Sequence, residues 1–282
     1  TVIGHRSSVI GQPPTVNRQP PTANRQPPTA NQMPLRVSII TATFNSASTI
    51  ADTMQSVGEQ DYPLIDHIIV DGGSKDNTLE IIKEFPHHII VISEKDEGIY
   101  DAMNKGIRAA KGDIIGILNS DDVYTEPDVI STVVDVFRDP AVQCCYADLQ
   151  YVDYRNLKRV KRVWKSGNYK TKSFYWGWMP PHPTFFVRKS VYEQLGFFNR
   201  EMRSAADYEM MLRLMLVHQL KTVYIPRIIV KMRTGGMSNA SVKNRIRANR
   251  EDREAWRING LRPYFFTLYL KPLRKITQFL KR

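Results

Sequence analysis

Cysteine is nearly absent: only two occur in 282 residues, and they are neighbours, Cys144 and Cys145. A bridge between adjacent residues is strained and no third cysteine can pair, so no disulfide framework is expected. Both read as small buried hydrophobes in an apolar stretch. No uninterrupted apolar run of about 18 residues is present, which argues against a membrane-spanning helix. Residues 1–34 lack an apolar stretch of secretory-signal length, so the cytoplasm is the expected compartment. The first strand-to-helix turn, Thr41 to Ser46, contains no glycine. That absence disfavours both the G-x-G-x-x-G dinucleotide loop and the G-x-x-x-x-G-K phosphate loop.

Acidic residues are also in short supply, with 28 Asp and Glu against 40 Lys and Arg and a net charge of +12. A balance of that sign suggests anionic partners: nucleic acid, anionic lipid or phosphate-bearing substrates. The excess lies late in the chain. From Lys243 it includes Arg245, Arg247, Arg250, Arg253, Arg257, Arg262, Lys271, Arg274, Lys275, Lys281 and Arg282, opposed only by Glu251, Asp252 and Glu254. Hydrophobic residues make up 42% and charged residues 24%, ordinary for a globular protein with one large domain and extensions.

The chain opens with a tandem repeat in which Gly11–Asn17, Arg18–Asn24 and Arg25–Asn31 all carry Gln-Pro-Pro-Thr. Paired prolines without apolar periodicity cannot build a core, so residues 1–34 are expected to be an extended linker or a proline-rich ligand. Order is expected from Leu35. Val37–Thr41, His67–Asp71, His88–Ser93, Asp113–Leu118 and Val142–Ala147 read as short buried strands. Between them, helices are expected after Ser46 or Ser48 (with Ile50, Met54 and Val57 on one face), from Asn77 to Phe85, from Gly98 to Ala110 and from Pro127 to Phe137. Alternation of this kind means a mostly parallel α/β sheet covered on both faces, with ligands at the carboxyl ends of its strands. Beyond Asp148 the pattern loosens, until a helix from Ala205 to His218 and a basic helical tail.

The polar clusters fall at that carboxyl edge. Asp71-Gly72-Gly73-Ser74-Lys75-Asp76 ends the second strand, where an Asp can bind a base or ribose, or simply hold a glycine turn. Asn119-Ser120-Asp121-Asp122 follows an apolar strand. Two adjacent carboxylates repel and call for a cation, and Mg²⁺ or Mn²⁺ takes one or two of them plus substrate phosphates. Asp207, in Ala205-Ala206-Asp207-Tyr208-Glu209, stands at a helix start either as a cap or as a general base.

Taken together, V-S-I-I-T-A-T-F-N, I-I-V-D-G-G-S-K-D-N-T, S-E-K-D-E-G-I-Y-D-A-M-N-K-G, G-I-L-N-S-D-D and A-A-D-Y-E-M-M-L-R-L resemble the family 2 inverting glycosyltransferases. Five blocks in the expected order make the resemblance specific over residues 35–224. It implies a GT-A fold, a Rossmann-like sheet flanked by helices, over residues 35–227, with residues 228–282 as a basic helical extension. It implies a nucleotide-diphosphate-sugar donor, preferably UDP-linked, a divalent metal (Mn²⁺ or Mg²⁺), and a glycan or lipid-linked acceptor, as in members that build O-antigen or other cell-surface polysaccharide.

The resemblance also assigns roles. Thr41, Thr43, Asn45, Asp71, Gly72 and Ser74 would line the nucleotide, and Asp96 with Asn104 and Lys105 would close the pocket. Asn119, Ser120 and Asp121 stand where the family has D-x-D, with Asn119 replacing its first Asp; Asp121 and Asp122 remain for the metal. Asp207 matches the general base. Trp176, Trp178 and His182 lie on the acceptor side as sugar-stacking or phosphate-binding groups, or else as core. Arg233 to Ser238 reads as a loop over the diphosphate or an ordinary turn. Tyr264 to Arg282 interleaves aromatic and basic residues, as an interfacial helix on anionic lipid or a helix packed on the domain. A sugar nucleotidyltransferase would need a glycine-rich basic loop after the first strand. A nucleic-acid-binding protein would need a basic folded face, whereas this ligand edge is acidic.

Overall fold

The computed structural model describes residues 33–235 and 242–274. The repeat segment, the end of the expected Arg233–Ser238 loop and the last eight residues of the tail lie outside the described residues. Strands β1 (Val37–Thr43), β2 (Ile65–Asp71), β3 (Ile89–Ser93) and β4 (Ile114–Ile117) alternate with helices α1 (Ile50–Gly58), α2 (Thr78–Lys83) and α3 (Ile99–Ala109). They pair in parallel, with Val37 beside both Ile65 and Ile114, and Thr43 beside Asp71. β1, β2 and β4 are apolar on both faces because both faces are covered. β3, expected to be buried, lies at the sheet edge and is only partly covered, with Val91 45% exposed. Ile40, Ile68 and Ile115 pack toward α3 and residues 205–216, while Val37, Ile39 and Ile114 pack toward α4 (Val129–Phe137).

The remaining elements are β5 (Val123–Tyr124), β6 (Cys144–Asp153), β7 (Asn156–Trp164), β8 (Phe186–Arg188), α5 (Lys189–Leu195), α6 (Ala206–Met211), β9 (Thr222–Arg233), α7 (Val242–Ile258) and α8 (Thr267–Leu273). Among the described residues the strand order is β3-β2-β1-β4-β8-β6-β9-β5, with β7 on β6. The parallel half therefore matches the expectation, but β6 does not join it directly. The short strand β8 inserts antiparallel between β4 and β6, and the second half of the sheet is mixed. Cys144 and Cys145 are both buried in β6. Among the described residues the basic strand β7 pairs only with β6, and its lysines and arginines blunt the exposed edge.

A domain boundary at residues 227/228 does not hold, because it would cut β9, which runs parallel to β6 from Thr222 to Arg233. Helix α7, beyond β9, is packed on the domain rather than appended to it. Its Trp256 is fully buried and donates its Nε1–H to the Tyr208 hydroxyl at 3.0 Å. The segment after α6, Leu212–Val217, continues the helix as a wider π-helical turn.

One buried polar chain crosses the parallel half. His67 on β2 is fully buried, with Nε2 3.0 Å from Thr41 Oγ1 and Nδ1 3.0 Å from His87 Nε2. Burial, and then the His87 ring, push its pKa down to about 3. Unfolded, the imidazole titrates near pH 6.5. The unfolded chain thus takes up a proton that the folded chain refuses, and the stability present above about pH 6.5 drains away toward pH 3. In His67→Gln the slope of melting temperature against pH between about 6.5 and 4 should be shallower than in the wild type, whatever the absolute change at neutral pH.

Candidate active site

Three turns meet at the carboxyl ends of β1, β2 and β4. After β1, Asn45 adopts a left-handed φ of 50°, which asparagine tolerates better than most residues. Its N–H donates to Ser74 Oγ at 2.8 Å, and its Oδ1 accepts from the Lys75 N–H at 2.9 Å. Ser46 N donates to Thr78 Oγ1 at 2.8 Å, and the Ser46 and Ser120 hydroxyls lie 2.9 Å apart. Asn45, Ser74 and Ser120 are thereby brought together as parts of one stitched rim.

Asp71 sits inside this rim, fully buried. Its carboxylate accepts from the N–H groups of Gly73 and Ser74, the Ser74 hydroxyl and, at 2.7 Å, the Ser93 hydroxyl. A carboxylate offers about four acceptor positions, and those of Asp71 are taken up in holding the turn. Beside it Gly72 gives way to Asp96. A Cβ at position 72 would lie 2.4 Å from Asp96 Oδ2 and 3.4 Å from the Phe44 ring. Phe44 is 59% exposed there, an aromatic face at the rim that sequence reasoning misses. Its position directly after a buried strand is the signal that could have found it, since an apolar side chain at a ligand edge has little structural use.

Several expected residues sit elsewhere. Thr41 is fully buried and bonded to His67, two residues short of the strand end, so it faces the sheet interior rather than a nucleotide. Asn104 is buried on α3, where its amide donates to the Phe198 carbonyl at 2.8 Å and accepts from the Phe198 N–H at 2.9 Å. Lys105 donates to the Lys95 carbonyl and pairs with Glu94 at 2.8 Å, holding the loop before α3 rather than facing a pocket. Trp178 is core: 5% exposed, its Nε1–H on the Ser166 carbonyl, with Tyr146, Tyr169 and Phe174 around it. Trp176 is exposed and packs beside Phe266, just ahead of α8.

The acidic turn carries the strongest electrostatic signature. Asp122 is fully buried and accepts from the Asn119 amide at 3.0 Å, while Asp121 is half-buried. Burial raises the Asp121 pKa, and the Arg233 charge offsets this only in part. Burial, and then the neighbouring Asp121 charge, lift Asp122 well above the ordinary carboxylate range. Arg233 is itself buried, at 5% exposure. It donates to the Asp121 carbonyl at 2.7 Å and the Tyr154 carbonyl at 3.0 Å, and pairs with Asp52. It is thus a clamp on the acidic turn and not part of a mobile loop.

Three buried oxygens at this edge have no protein partner: Thr43 Oγ1, Asn119 Oδ1 and Asp122 Oδ1. Unpartnered buried acceptors are costly and call for a ligand or ion. Among the described residues no group of three or more His, Cys, Asp and Glu is placed to hold a metal. The donor set does fit a hard divalent ion that takes one or two carboxylates and completes its shell from substrate phosphates and water.

A second cluster lies at the start of α6. Asp207 is half-buried, and Tyr100 of α3 donates its hydroxyl to Asp207 Oδ1 at 3.2 Å. Burial, and then the Asp207 charge, raise the Tyr100 pKa well above its ordinary value, so it stays a donor. His182 lies within the electrostatic reach of the same carboxylate. Burial lowers its pKa, and the Asp207 charge pulls in the other direction. Phe198 backs both rings, edge-on to His182 at 5.6 Å and stacked on Tyr100 at 5.6 Å. The structure therefore brings Asp207 and His182 together and adds Tyr100, which sits one helical turn before Asn104. This cluster can take a proton from a bound hydroxyl, while the first can hold a charged phosphate group with a cation.

Sheet topology, an acidic turn at the strand edge and a separate helix-borne carboxylate define a glycosyltransferase of the GT-A class. The model of glycosyl transferase family 2 matches residues 38–196, and the chain belongs to that family. It is 32% identical over 190 residues to an uncharacterised glycosyltransferase of Mycobacterium tuberculosis, covering 66% of this chain and 71% of the relative. It is 28% identical to a PGL/p-HBAD biosynthesis glycosyltransferase of Mycobacterium bovis, covering 73% of this chain and 80% of the relative. Among solved structures, S. aureus TarS residues 1–349 superimposes with a TM-score of 0.64 at 16% identity, covering 86% of this chain and 72% of that one. A mannosyltransferase of Pyrobaculum calidifontis, solved with GDP-Man and Mn²⁺, gives a TM-score of 0.59 at 19% identity, covering 85% and 69%. At these identities the structural likeness speaks for the fold.

Asn104 now has a defined job: it fixes Phe198 behind Tyr100 and His182. Asn104→Ala leaves a buried N–H and C=O of Phe198 unpaired and should cost about 1–3 kcal/mol in urea unfolding. Affinity for nucleoside diphosphates should be unchanged in the same variant, whereas a pocket-closing role would lower it.

Proposed function

We propose that the protein is an inverting glycosyltransferase that moves a sugar from a nucleoside-diphosphate donor, UDP-linked by preference, to a hydroxyl of a glycan or lipid-linked acceptor in cell-surface polysaccharide synthesis. The observation that carries this reading is the separation of roles between two acidic sites. One is an adjacent carboxylate pair with unpartnered oxygens around it; the other is a lone carboxylate oriented by a tyrosine. A TarS structure is described in complex with UDP-GlcNAc, which supports UDP as the donor nucleotide.

On the donor side, Thr43, Asn45, Gly72, Ser74, Asp96, Asn119, Ser120 and the Phe44 ring would line the nucleotide and sugar, with Asp71 holding the turn beneath them. Asp121, the more accessible of the pair, would be the direct ligand of Mn²⁺ or Mg²⁺, and buried Asp122 would orient the turn through Asn119. A bound divalent ion supplies positive charge against the leaving diphosphate. On the acceptor side, Tyr100 occupies Oδ1 of Asp207 and leaves the other oxygen for the acceptor hydroxyl. Asp207 takes the hydroxyl proton, the acceptor oxygen bonds to the anomeric carbon, and the bond from that carbon to the phosphate oxygen breaks, its electron pair leaving with the nucleotide. One displacement inverts the anomeric centre, with no covalent sugar–enzyme intermediate of the kind a retaining hydrolase forms.

Among the described residues no helix is long and apolar enough to cross a membrane. Peripheral attachment to the inner face of the cell membrane, through the basic C-terminal segment, belongs to this reading as the means of reaching a lipid-linked acceptor.

Turnover of UDP-α-sugars in the presence of Mn²⁺, followed by NMR of the first anomer transferred or released to water, tests the chemistry. The β anomer is expected. Asp207→Asn should lower the rate by about 10²–10⁴-fold, the usual worth of a positioned general base, while leaving donor affinity intact. An α product, or a variant as fast as the wild type, would refute Asp207 as the base of an inverting reaction.

A further inference from the structure

We infer that the outer face of α8, together with Trp176, is a docking surface for an anionic lipid interface. Phe265 is 88% exposed, Tyr269 64% and Leu273 53%. Their spacing of four residues places them on one stripe of the helix and its entry turn. Trp176, 52% exposed, extends the stripe from a neighbouring turn. Phe266 joins them, 5.2 Å ring to ring from both Trp176 and Phe265. A solvent-facing helix normally presents polar residues on its outer face, and a continuous aromatic patch there marks an interaction site.

The exposure does not come from a loosely attached helix. On the inner face Thr267 donates to the Tyr175 carbonyl at 2.7 Å, and Lys271 pairs with the buried Asp252 at 2.6 Å while lying 3.5 Å over the Tyr208 ring. The helix backbone comes so close to Gly177 that a Cβ there would lie 2.5 Å from the Lys271 nitrogen. Gly177, at a left-handed φ of 72°, also sends Trp178 into the core and leaves Trp176 outside. A seated helix with its aromatic side outward is built to present that side.

Charge selects the occupant. Exposed Arg274 donates to the Trp176 carbonyl at 3.4 Å. Exposed Lys172 and Arg262 stand four and three residues before Trp176 and Phe265 in the chain, and the sequence continues into Lys275, Lys281 and Arg282. A second copy of a chain carrying +12 would meet this patch against mutual repulsion. An anionic leaflet attracts it, and Trp, Tyr and Phe side chains suit the headgroup level. The inference rests on the peripheral-membrane part of the proposed function and is independent of its chemistry.

The test is co-sedimentation of the full chain with vesicles of phosphatidylcholine alone or mixed with phosphatidylglycerol. The wild type is expected to pellet with the anionic vesicles and to remain in solution with the neutral ones. Phe265→Ser/Tyr269→Ser/Leu273→Ser should lower the partition coefficient at least about tenfold, since buried apolar area drives interfacial binding. Phe265→Ser alone, at the most exposed position, should lower it in the same direction without affecting the fold. The thermal shift given by UDP-sugar with Mn²⁺, measured on the same samples, should be equal in all variants, so loss of docking and loss of the catalytic reading are told apart. Failure of the wild type to pellet with anionic vesicles, equal binding to neutral ones, or a triple variant that pellets like the wild type would overturn the inference. Light scattering that shows a dimer abolished by the triple variant would overturn it in favour of a second copy.

Discussion

A buried guanidinium holds the active edge together. Arg233, at the end of β9, ties the carbonyl of Asp121 to the tip of the β6–β7 hairpin through Tyr154 and to the first turn of α1 through Asp52. A charge this deep is tolerated only when its hydrogen bonds are met on every side, and here they are met by three separate elements. Its positive charge also faces Asp121 and Asp122, the two acids whose ionised forms burial opposes, and only partly offsets that burial. The turn is held in shape while burial still opposes ionisation of both acids. The arrangement depends on β9 lying parallel to β6, which carries Arg233 to the turn.

The two acidic sites are joined by one helix. α3 starts beside Gly98, whose N–H donates to Asp96 at 2.9 Å on the donor side. Within its first turn Tyr100 holds Asp207, and a turn later Asn104 fixes Phe198 behind Tyr100 and His182. A displacement of α3 would therefore move the Asp96 turn and the orientation of Asp207 together. This coupling gives one structural reason for the long motif between Asp96 and Lys105 to act as a unit, with each side chain tied to a different neighbour.

The parallel half of the fold is legible in the sequence because β1, β2 and β4 are buried on both faces and so appear as short, continuous, β-branched runs. The edge strand β3 carries the same kind of run though only partly covered. The second half is legible only in part: the start of β6 and the helix at residues 206–217 match the expected strand and helix, but β7, β8 and β9 do not stand out. β6 to β9 mix charged and apolar residues, and β9 contains Pro226, beside which the pairing with β6 slips from Ala147–Ile225 to Asp148–Ile228. A proline at a strand irregularity reads in sequence like the end of a strand, and the expected domain boundary falls wrongly at this point. The turns of the site are legible because strand ends collect polar residues. The individual contacts are less so. Thr41 and Thr43 lie on the same face of β1, yet the first is covered by His67 and the second has no partner. Trp176 and Trp178 differ only through the left-handed Gly177 between them. The i, i+4 relation of Tyr100 and Asn104 is readable in the sequence and would direct Asn104 to the acceptor side.

The central claim, that the acidic turn binds a nucleoside diphosphate through a divalent ion, is tested most directly by a thermal-shift panel of UDP, GDP, CMP and dTDP sugars with Mn²⁺, Mg²⁺ or chelator. A ligand at free concentration L that binds only the folded state stabilises it by RT ln(1 + L/Kd) and so raises the unfolding midpoint. One nucleotide class, UDP by preference, should raise it with metal and not with chelator, and Asp121→Ala should abolish the rise. A rise that survives chelation or the Asp121→Ala change, or no rise with any nucleotide, would contradict the metal–diphosphate site.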